Sequence, residues 1–185
     1  MSHFSEIETE ITDIQALREA VKAMGFELVE NGVVRGWGSN KTTADYVIKL
    51  PDGYDVGFVR KGNRYRAVAD LWNNYVEKYM GKGLSRLKKE YARRFILRRA
   101  REKGYSVIRN EEHSIVLMTP EGATIKFSID ETGNYTVHVT GAPGGQCLKL
   151  TEPFETGNAK RAFTNEYYET NGRIRVGVDG SNLCG

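Results

Sequence analysis

The sequence has few cysteines and no long apolar run, and each absence excludes a class of protein. Its 185 residues include two cysteines, Cys147 and Cys184, which are too few for a disulfide framework and wrongly spaced for a zinc ribbon. No stretch approaches the roughly 18 consecutive apolar residues of a membrane span. The acidic start MSHFSEIETEITD lacks the basic and then apolar pattern of a secretion signal. We therefore expect no membrane association and a location in the cytoplasm or in an equivalent organelle interior.

Motifs for catalysis or for metal binding are also missing. The three histidines, His3, His113 and His138, are scattered through the chain, and none has a recognised metal-ligand spacing. There is no Ser-His-Asp arrangement and no nucleophile elbow, and the aspartates flank turns and strand ends, where capping explains them. We predict no catalytic residues, no metal ligands and no cofactor.

Positive charge is concentrated in one segment. The chain carries 27 lysines and arginines against 24 acidic residues, and most of the excess lies in SRLKKEYARRFILRRAREK, residues 85–103. Leu87, Tyr91 and Phe95 recur through it at helical spacing, and Gly104 follows it. The segment is predicted to be a long basic helix with an apolar stripe. An electrostatic partner would be acidic.

The first half predicts one helix followed by an antiparallel meander. Asp13 can cap a helix whose apolar residues recur at helical spacing until Gly25. FELVEN then alternates like a strand and ends at an Asn31-Gly32 turn. DYVIKL predicts a second strand, the PDG at residues 51–53 predicts a turn, and a hairpin follows around Lys61-Gly62-Asn63.

The second half predicts two pairs of strands and a short helix. YSVIRNEEHSIVLMTPEG contains two strands and ends at Pro120 and Gly122. ATIKFSIDETGNYTVHVTG is a hairpin with one buried and one wet face. The fold class is therefore α+β: a helix and meander with a long basic helix, then a small hairpin-and-helix unit. The hairpin can either extend the first sheet or form its own layer. We predict a domain over residues 1–119, the small unit over 121–169, and a glycine-rich tail over 170–185.

Much of the first part resembles a known family. The blocks MSHFSEIETEITDIQALREAVKAMGFEL, VVRGW, LPDGYDVGFVRKGNRYRAVADLW and LKKEYARR are similar to the family called hypothetical chloroplast reading frame thirty-five, also described as domain of unknown function twelve fifty-seven. The resemblance covers roughly residues 1 to 119. It implies no settled biochemical activity.

The second part resembles another family. IKFSIDETGNYTVHVTGAPGGQCLKLTEPFE and NEYYE, within residues 123–169, are similar to domain of unknown function twenty-nine ninety-seven, although Pro153 interrupts a helix that is longer in that family. Members of the two families are usually separate neighbouring proteins, often encoded close to a small ferredoxin-like protein. A chain that joins them therefore implies that its two units act together. This implication rests on the association of the two families and not on the chemistry of any residue.

Two groups of residues are candidates for partner binding. Trp37 lies between glycines in RGWGSN and forms a plausible contact patch with Arg35, because Trp and Arg are enriched at interface hot spots. Trp72 ends an alternating strand and is predicted to be core. The basic helix provides the second group, which consists of Arg93, Arg94, Arg98 and Arg99. Those arginines could bind either an acidic protein or the phosphates of a nucleic acid.

Cys147 follows the glycine-rich turn GAPGGQ and is predicted near the first turn of a helix. A thiolate there is stabilised by the helix dipole and by free N–H groups, which favours a redox role. A buried thiol that behaves as a small apolar residue is the more common arrangement.

The leading hypothesis is a non-enzymatic binding or adaptor protein for a protein partner, either ferredoxin-like or otherwise acidic. It would use its sheet edges, Arg35, Trp37 and the basic helix. The alternatives are a nucleic-acid-binding protein and a redox protein acting through Cys147.

Overall fold

A computed structural model gives the fold of residues 4–142 and 144–156, together with the backbone of three short strands at 161–163, 174–177 and 182–184. The chain divides into two compact units, residues 1–91 and 92–185. The α+β class predicted from the sequence is confirmed, because both units combine a largely antiparallel sheet with helices. The division at Pro120 follows the two family resemblances and stays a prediction.

The first unit contains a five-stranded antiparallel sheet and two helices. Its strands are β1 (Phe4–Ile11), β2 (Glu27–Arg35), β3 (Lys41–Lys49), β4 (Val56–Lys61) and β5 (Arg64–Asp70). Its helices are α1 (Ile14–Ala23) and α2 (Tyr75–Met80). The strand order is β1-β5-β4-β3-β2, so that β1 and β2 are the two edges.

The α1 helix begins and ends where the sequence predicts. Oδ1 of Asp13 accepts hydrogen bonds from the N–H groups of Gln15 at 2.9 Å and Ala16 at 3.1 Å, which satisfies two donors that the first turn leaves without partners. Leu17 and Val21 lie on its buried face. Gly25 adopts a φ of 82°, a left-handed conformation that ends the helix at little cost.

Two local predictions in this unit are wrong. β1 was not expected, although Glu6, Glu8 and Glu10 alternate with Ile7, Thr9 and Ile11 along it. The Asn31-Gly32 pair is not a turn, because β2 continues through it. Asn31 has a φ of 48°, and pairing with β3 keeps the same register on both sides of it. Asparagine tolerates this conformation, so the long-range pairing outweighs the local turn preference.

The turns predicted at PDG and around Gly62 are confirmed. Gly53 has a φ of 79° and its N–H donates to the carbonyl of Leu50 at 3.2 Å. Gly62 has a φ of 64° between β4 and β5. These turns set the register of the meander.

The long helix α3 spans Ser85–Lys103, as predicted, and Gly104 ends it with a φ of 70°. The unit boundary between residues 91 and 92 falls within this helix. Its predicted apolar stripe is confirmed: Leu87, Tyr91 and Phe95 are buried.

The second unit contains a seven-stranded sheet in the order β10-β12-β11-β9-β8-β7-β6. Its strands are β6 (Ser106–Asn110), β7 (Ser114–Met118), β8 (Thr124–Ile129), β9 (Tyr135–Thr140), β10 (Arg161–Phe163), β11 (Ile174–Gly177) and β12 (Asn182–Cys184). The predicted hairpin is β8 and β9, and its buried face is confirmed. β8 pairs with β7, so the hairpin continues the sheet of β6 and β7 rather than the five-stranded one.

A short helix α4 (Gly144–Thr151) and a 3₁₀ turn at Glu152–Phe154 follow the hairpin. Phe154 is fully buried, its ring centroid lies 4.8 Å from that of Phe127, and its carbonyl accepts a 2.6 Å hydrogen bond from the hydroxyl of Tyr135. Pro153 lies in the 3₁₀ turn and accounts for the end of the helix there. The predicted tail at 170–185 includes β11 and β12, whereas NEYYE lies outside the described residues.

Candidate functional site

Trp37 and Trp72 form an exposed pair of indole rings in the first unit. Their ring centroids lie 5.7 Å apart with an interplanar angle of 46°. Trp37 is 53% exposed and Trp72 is 46% exposed. The prediction that Trp72 belongs to the core is therefore wrong: β5 ends at Asp70, and the strand alternation that would bury Trp72 ends with it.

A buried carboxylate, that of Asp70, holds both tryptophans in place. Asp70 is 1% exposed. Its Oδ2 accepts the backbone N–H of Trp37 at 2.8 Å, and its Oδ1 accepts the N–H of Trp72 at 3.0 Å. One side chain therefore fixes the start of both tryptophan segments, which are far apart in sequence.

Gly36 makes this arrangement possible. A Cβ at this position would lie 2.7 Å from Oδ2 of Asp70 and 3.1 Å from the ring of Phe4. Any larger residue would therefore displace the carboxylate from the N–H of Trp37. The glycine before Trp37 is therefore required for close packing.

The backbone after Trp72 passes through two left-handed residues. Asn73 and Asn74 have φ values of 53° and 58°, two successive left-handed residues that are not glycine. Next to them, the ring of Tyr75 stacks on that of Tyr54 at 4.5 Å and 15°. Burial, together with the nearby Tyr75 and Asp70, raises the pKa of Tyr54.

Arg35 is bound within the protein. Its Nε lies 2.7 Å from Oδ2 of Asp55 and its Nη2 lies 2.7 Å from Oδ1, a bidentate pair. Burial opposes ionisation of Asp55, but hydrogen bonds from Arg35, from the N–H of Leu50 and from Lys49 outweigh it and hold the pKa of Asp55 below its usual value. The side chain of Arg35 remains 43% exposed beside this pair.

The same cluster covers part of the β2 edge. The N–H of Asp55 donates to the carbonyl of Arg35 at 3.0 Å, and the N–H of Arg35 donates to Oδ2 of Asp55 at 3.1 Å. The ammonium group of Lys49 donates to the carbonyl of Val33. These contacts occupy backbone groups that an edge strand would otherwise present to another strand.

The α3 arginines make contacts within the second unit. Nη2 of Arg93 donates to Oδ1 of Asn110 at 2.8 Å, and its Nη1 donates to the carbonyls of Glu111 and Glu112. Arg98 and Arg99 lie 3.3 and 2.8 Å from the carboxylate of Glu102, and Arg94 is half-buried. The four α3 arginines that the sequence predicts as binding residues therefore already have interactions inside the protein.

Cys147 is the fourth residue of α4, at the predicted helix start, but it is fully buried. Its thiol donates to the carbonyl of Ala142 at 3.3 Å. Burial raises the pKa of this thiol, which opposes the effect expected from the helix dipole. The surroundings are those of a packed apolar side chain.

Within the described residues, no three His, Cys, Asp or Glu side chains are grouped as metal ligands. His113 lies in the bend between β6 and β7, with its Nε2 3.3 Å from the carboxylate of Glu131. None of the described helices has the length and apolar character needed to cross a membrane.

The predicted site residues fall into two groups. Arg35 and Trp37 lie in the first unit, whereas Arg93, Arg94, Arg98 and Arg99 lie in the second. Sequence reasoning missed Asp70 and the pairing of Trp72 with Trp37. The available signal was the position of Asp70 as the last residue of a strand and two residues before an aromatic side chain, where aspartate commonly accepts the N–H two residues further on.

The fold describes a small α+β protein with an exposed pair of tryptophans in its first unit. A family model described as "Protein of unknown function (DUF1257)" matches residues 20–115. The match covers half of the chain, and the chain belongs to this family. It ends within β7, before the β8–β9 hairpin.

Several relatives carry the name "Uncharacterized protein ycf35". The relative from Guillardia theta is 32% identical over 126 residues, which cover 64% of this chain and 95% of the relative. The relative from Cyanophora paradoxa is 29% identical over 116 residues, covering 60% of this chain and 88% of the relative. The relative from Pyropia yezoensis is 30% identical over 110 residues.

No solved structure matches this chain. The first predicted resemblance is confirmed by these comparisons, over residues 20–115. The second, to domain of unknown function twenty-nine ninety-seven, stays a prediction.

Proposed function

We propose that this protein is a non-enzymatic binding protein that holds a protein partner on the surface formed by Trp37 and Trp72. The observation that carries the proposal is the exposed pair of indoles fixed by Asp70. Burying two such rings against a partner removes a large apolar area from water, and tryptophan is among the residues most enriched at binding hot spots. Because their backbone is already fixed, little conformational entropy is lost on binding.

The charge next to this surface favours an acidic partner. Arg35 lies opposite Lys41 at the end of the β2–β3 pair, two residues before Trp37. Asp55 and Asp70 together balance Arg35 and Lys49, which leaves the positive charge of the exposed Lys41. Such charge attracts an acidic partner and orients it during the encounter. A ferredoxin-like protein is one partner of this kind, as the family resemblance implies, in the cytoplasm or the plastid stroma.

Affinity capture with the tagged chain tests the proposal. Wild type, Trp37→Ala, Trp72→Ala and the double variant are used as baits in extracts of the native cell, with and without nuclease. The matched control is Met118→Ala, an exposed apolar side chain on the second sheet. We expect a protein captured by wild type and control to survive nuclease and to be lost with the double variant. The proposal is wrong if all baits retain the same proteins.

Nucleic-acid binding through α3 stays a prediction from the sequence. Reversing the charge of Arg93, Arg94, Arg98 and Arg99 should then remove a salt-dependent affinity for single- or double-stranded nucleic acid. The contacts of Arg93 and of Glu102 favour a structural role for these side chains instead. A redox role for Cys147 is less favoured because the thiol is buried.

A further inference from the structure

The edges of the sheets differ in how they are covered. The β1 edge carries three glutamates, and all three pair with arginines of β5: Glu6 and Glu8 lie 3.0 and 3.5 Å from Arg66, and Glu10 lies 2.9 Å from Arg64. The β2 edge is capped at Val33 and Arg35 by Lys49 and Asp55. Capped backbone groups cannot pair with another chain, and an edge that carries charges of one sign repels a second copy of itself.

The β6 edge has no comparable cover among the described residues. All five of its residues are exposed. Val107 is 44% exposed and Ile108 is 52% exposed, side by side on the strand. Ile108 is the extra residue of a bulge, because Val107 pairs with Leu117 and Arg109 with Val116. An exposed edge with adjacent apolar side chains is a site for strand addition.

The backbone beyond the bulge is arranged for such an addition. Glu111 and Ser114 exchange both of their backbone hydrogen bonds, at 2.8 and 3.4 Å. In an antiparallel pair the bonded positions alternate, so the N–H and carbonyl of Asn110 point away from β7. Arg93 holds the side chain of Asn110, not its backbone.

The charges on this edge are self-complementary. Nε of Arg109 lies 3.7 Å from Oε1 of Glu111, and both side chains are more than half exposed. Arg109 pairs with Val116, and Glu111 bonds to Ser114, so the two side chains project from the same sheet face. A strand with opposite charges two residues apart fits an antiparallel copy of itself, because each positive residue then lies opposite a negative one. A partner strand whose charges are all of one sign would place one of them opposite a residue of the same sign.

We propose that two copies of this chain associate through their β6 edges about a two-fold axis at Asn110. In this register Asn110 exchanges its backbone hydrogen bonds with Asn110 of the second copy, and Arg109 of each copy lies opposite Glu111 of the other. Ile108 lies beside the turn of the second copy. The symmetry makes each ion pair occur twice. The interface is short, so the dimer dissociates on dilution. This inference does not depend on the surface formed by Trp37 and Trp72.

Charge exchange between copies tests the interface. The association of full-length protein is measured by sedimentation velocity across a dilution series for wild type, Arg109→Glu and Glu111→Arg. Each single variant places like charges opposite each other twice, and we expect the dissociation constant of the dimer to rise about tenfold. An equimolar mixture of the two variants restores opposite charges and should associate like wild type.

Several results would overturn the inference. Wild type that stays monomeric at the highest concentration contradicts it, as does association that neither substitution weakens. Failure of the mixture to associate, while each variant retains the wild-type circular dichroism and melting temperature, contradicts the proposed register. Both variants should fold as wild type does, since an exposed pair at 3.7 Å contributes little to stability.

Discussion

Arg35 and Asp55 form a bidentate ion pair in which the arginine is half exposed and the aspartate side chain is completely buried. The residue that the sequence indicates as a binding contact is thus also a structural ligand. The pair joins the end of β2 to the loop between β3 and β4, and it adds main-chain bonds in both directions.

Asp55→Asn should lower the free energy of unfolding by roughly 2–4 kcal/mol at neutral pH, because Arg35 and Lys49 lose a charged acceptor. Urea unfolding measures the change. The control is Asp52→Asn, since Asp52 is bound by Tyr79 and Lys78 but is more exposed. Its effect should be much smaller, and equal effects of the two substitutions would contradict the structural role of the buried pair.

The stability from Asp55 should also depend on pH. Its folded pKa is lowered, below the unfolded value of about 3.9. The contribution is therefore complete above that value and is lost as the pH falls through the folded pKa. Melting temperatures of wild type and Asp55→Asn should converge in acid. A difference that stays constant down to the acid limit would contradict the shift.

Gly36→Ala should destabilise the protein and weaken partner capture, because the added Cβ would lie 2.7 Å from Oδ2 of Asp70. Gly145→Ala is the matched control: its Cβ would meet nothing within 4 Å, and its position in α4 favours alanine by about 0.5–1 kcal/mol. Thermal melting of both variants gives the comparison. Similar melting temperatures would show that the Asp70 carboxylate can move without cost.

Tyr91→Phe should cost about 1–3 kcal/mol, because the hydroxyl accepts the N–H groups of Thr12 and Asp13, each at 3.1 Å. Those donors lie at the start of α1. The control is Tyr105→Phe, since the hydroxyl of Tyr105 makes no hydrogen bond with the described residues. Chemical denaturation compares the two, and a Tyr91→Phe variant as stable as wild type would remove this role of the hydroxyl.

Alkylation of Cys147 should be slow in the native protein, because the thiol is buried and its pKa is raised. The measurement uses iodoacetamide on a Cys184→Ser background, so that Cys147 is the sole thiol. The rate should rise sharply when urea unfolds the protein. Rapid native labelling near neutral pH would instead revive the redox hypothesis.

Local chemistry predicts much of this fold. Asp13, Gly25 and Gly104 mark the helix ends because a cap or a left-handed residue acts within a few positions of itself. The alternation from Ile125 to Val139 predicts a buried face because a strand has a period of two. In these cases the sequence neighbourhood contains the whole physical cause.

The candidate surface depends on contacts that no neighbourhood contains. Trp37 and Trp72 meet because one carboxylate accepts an N–H from each segment, and Asp70 can do so only after β5 has paired with its neighbours. Asn31 likewise remains in a strand because β3 lies alongside it. The glycines on either side of Trp37 indicated a contact residue, but they did not indicate its neighbour Trp72.

The turn between β7 and β8 is a position at which this chain could be divided into two polypeptides. It is closed by Thr119, whose carbonyl accepts the N–H of Gly122 at 3.0 Å, and the flanking strands match in five successive residue pairs. Their register is therefore specified by side chains and backbone, in addition to the covalent link. Two polypeptides divided at Pro120 would carry matching strands at their ends, one on each piece, and could rejoin as a split protein by strand addition.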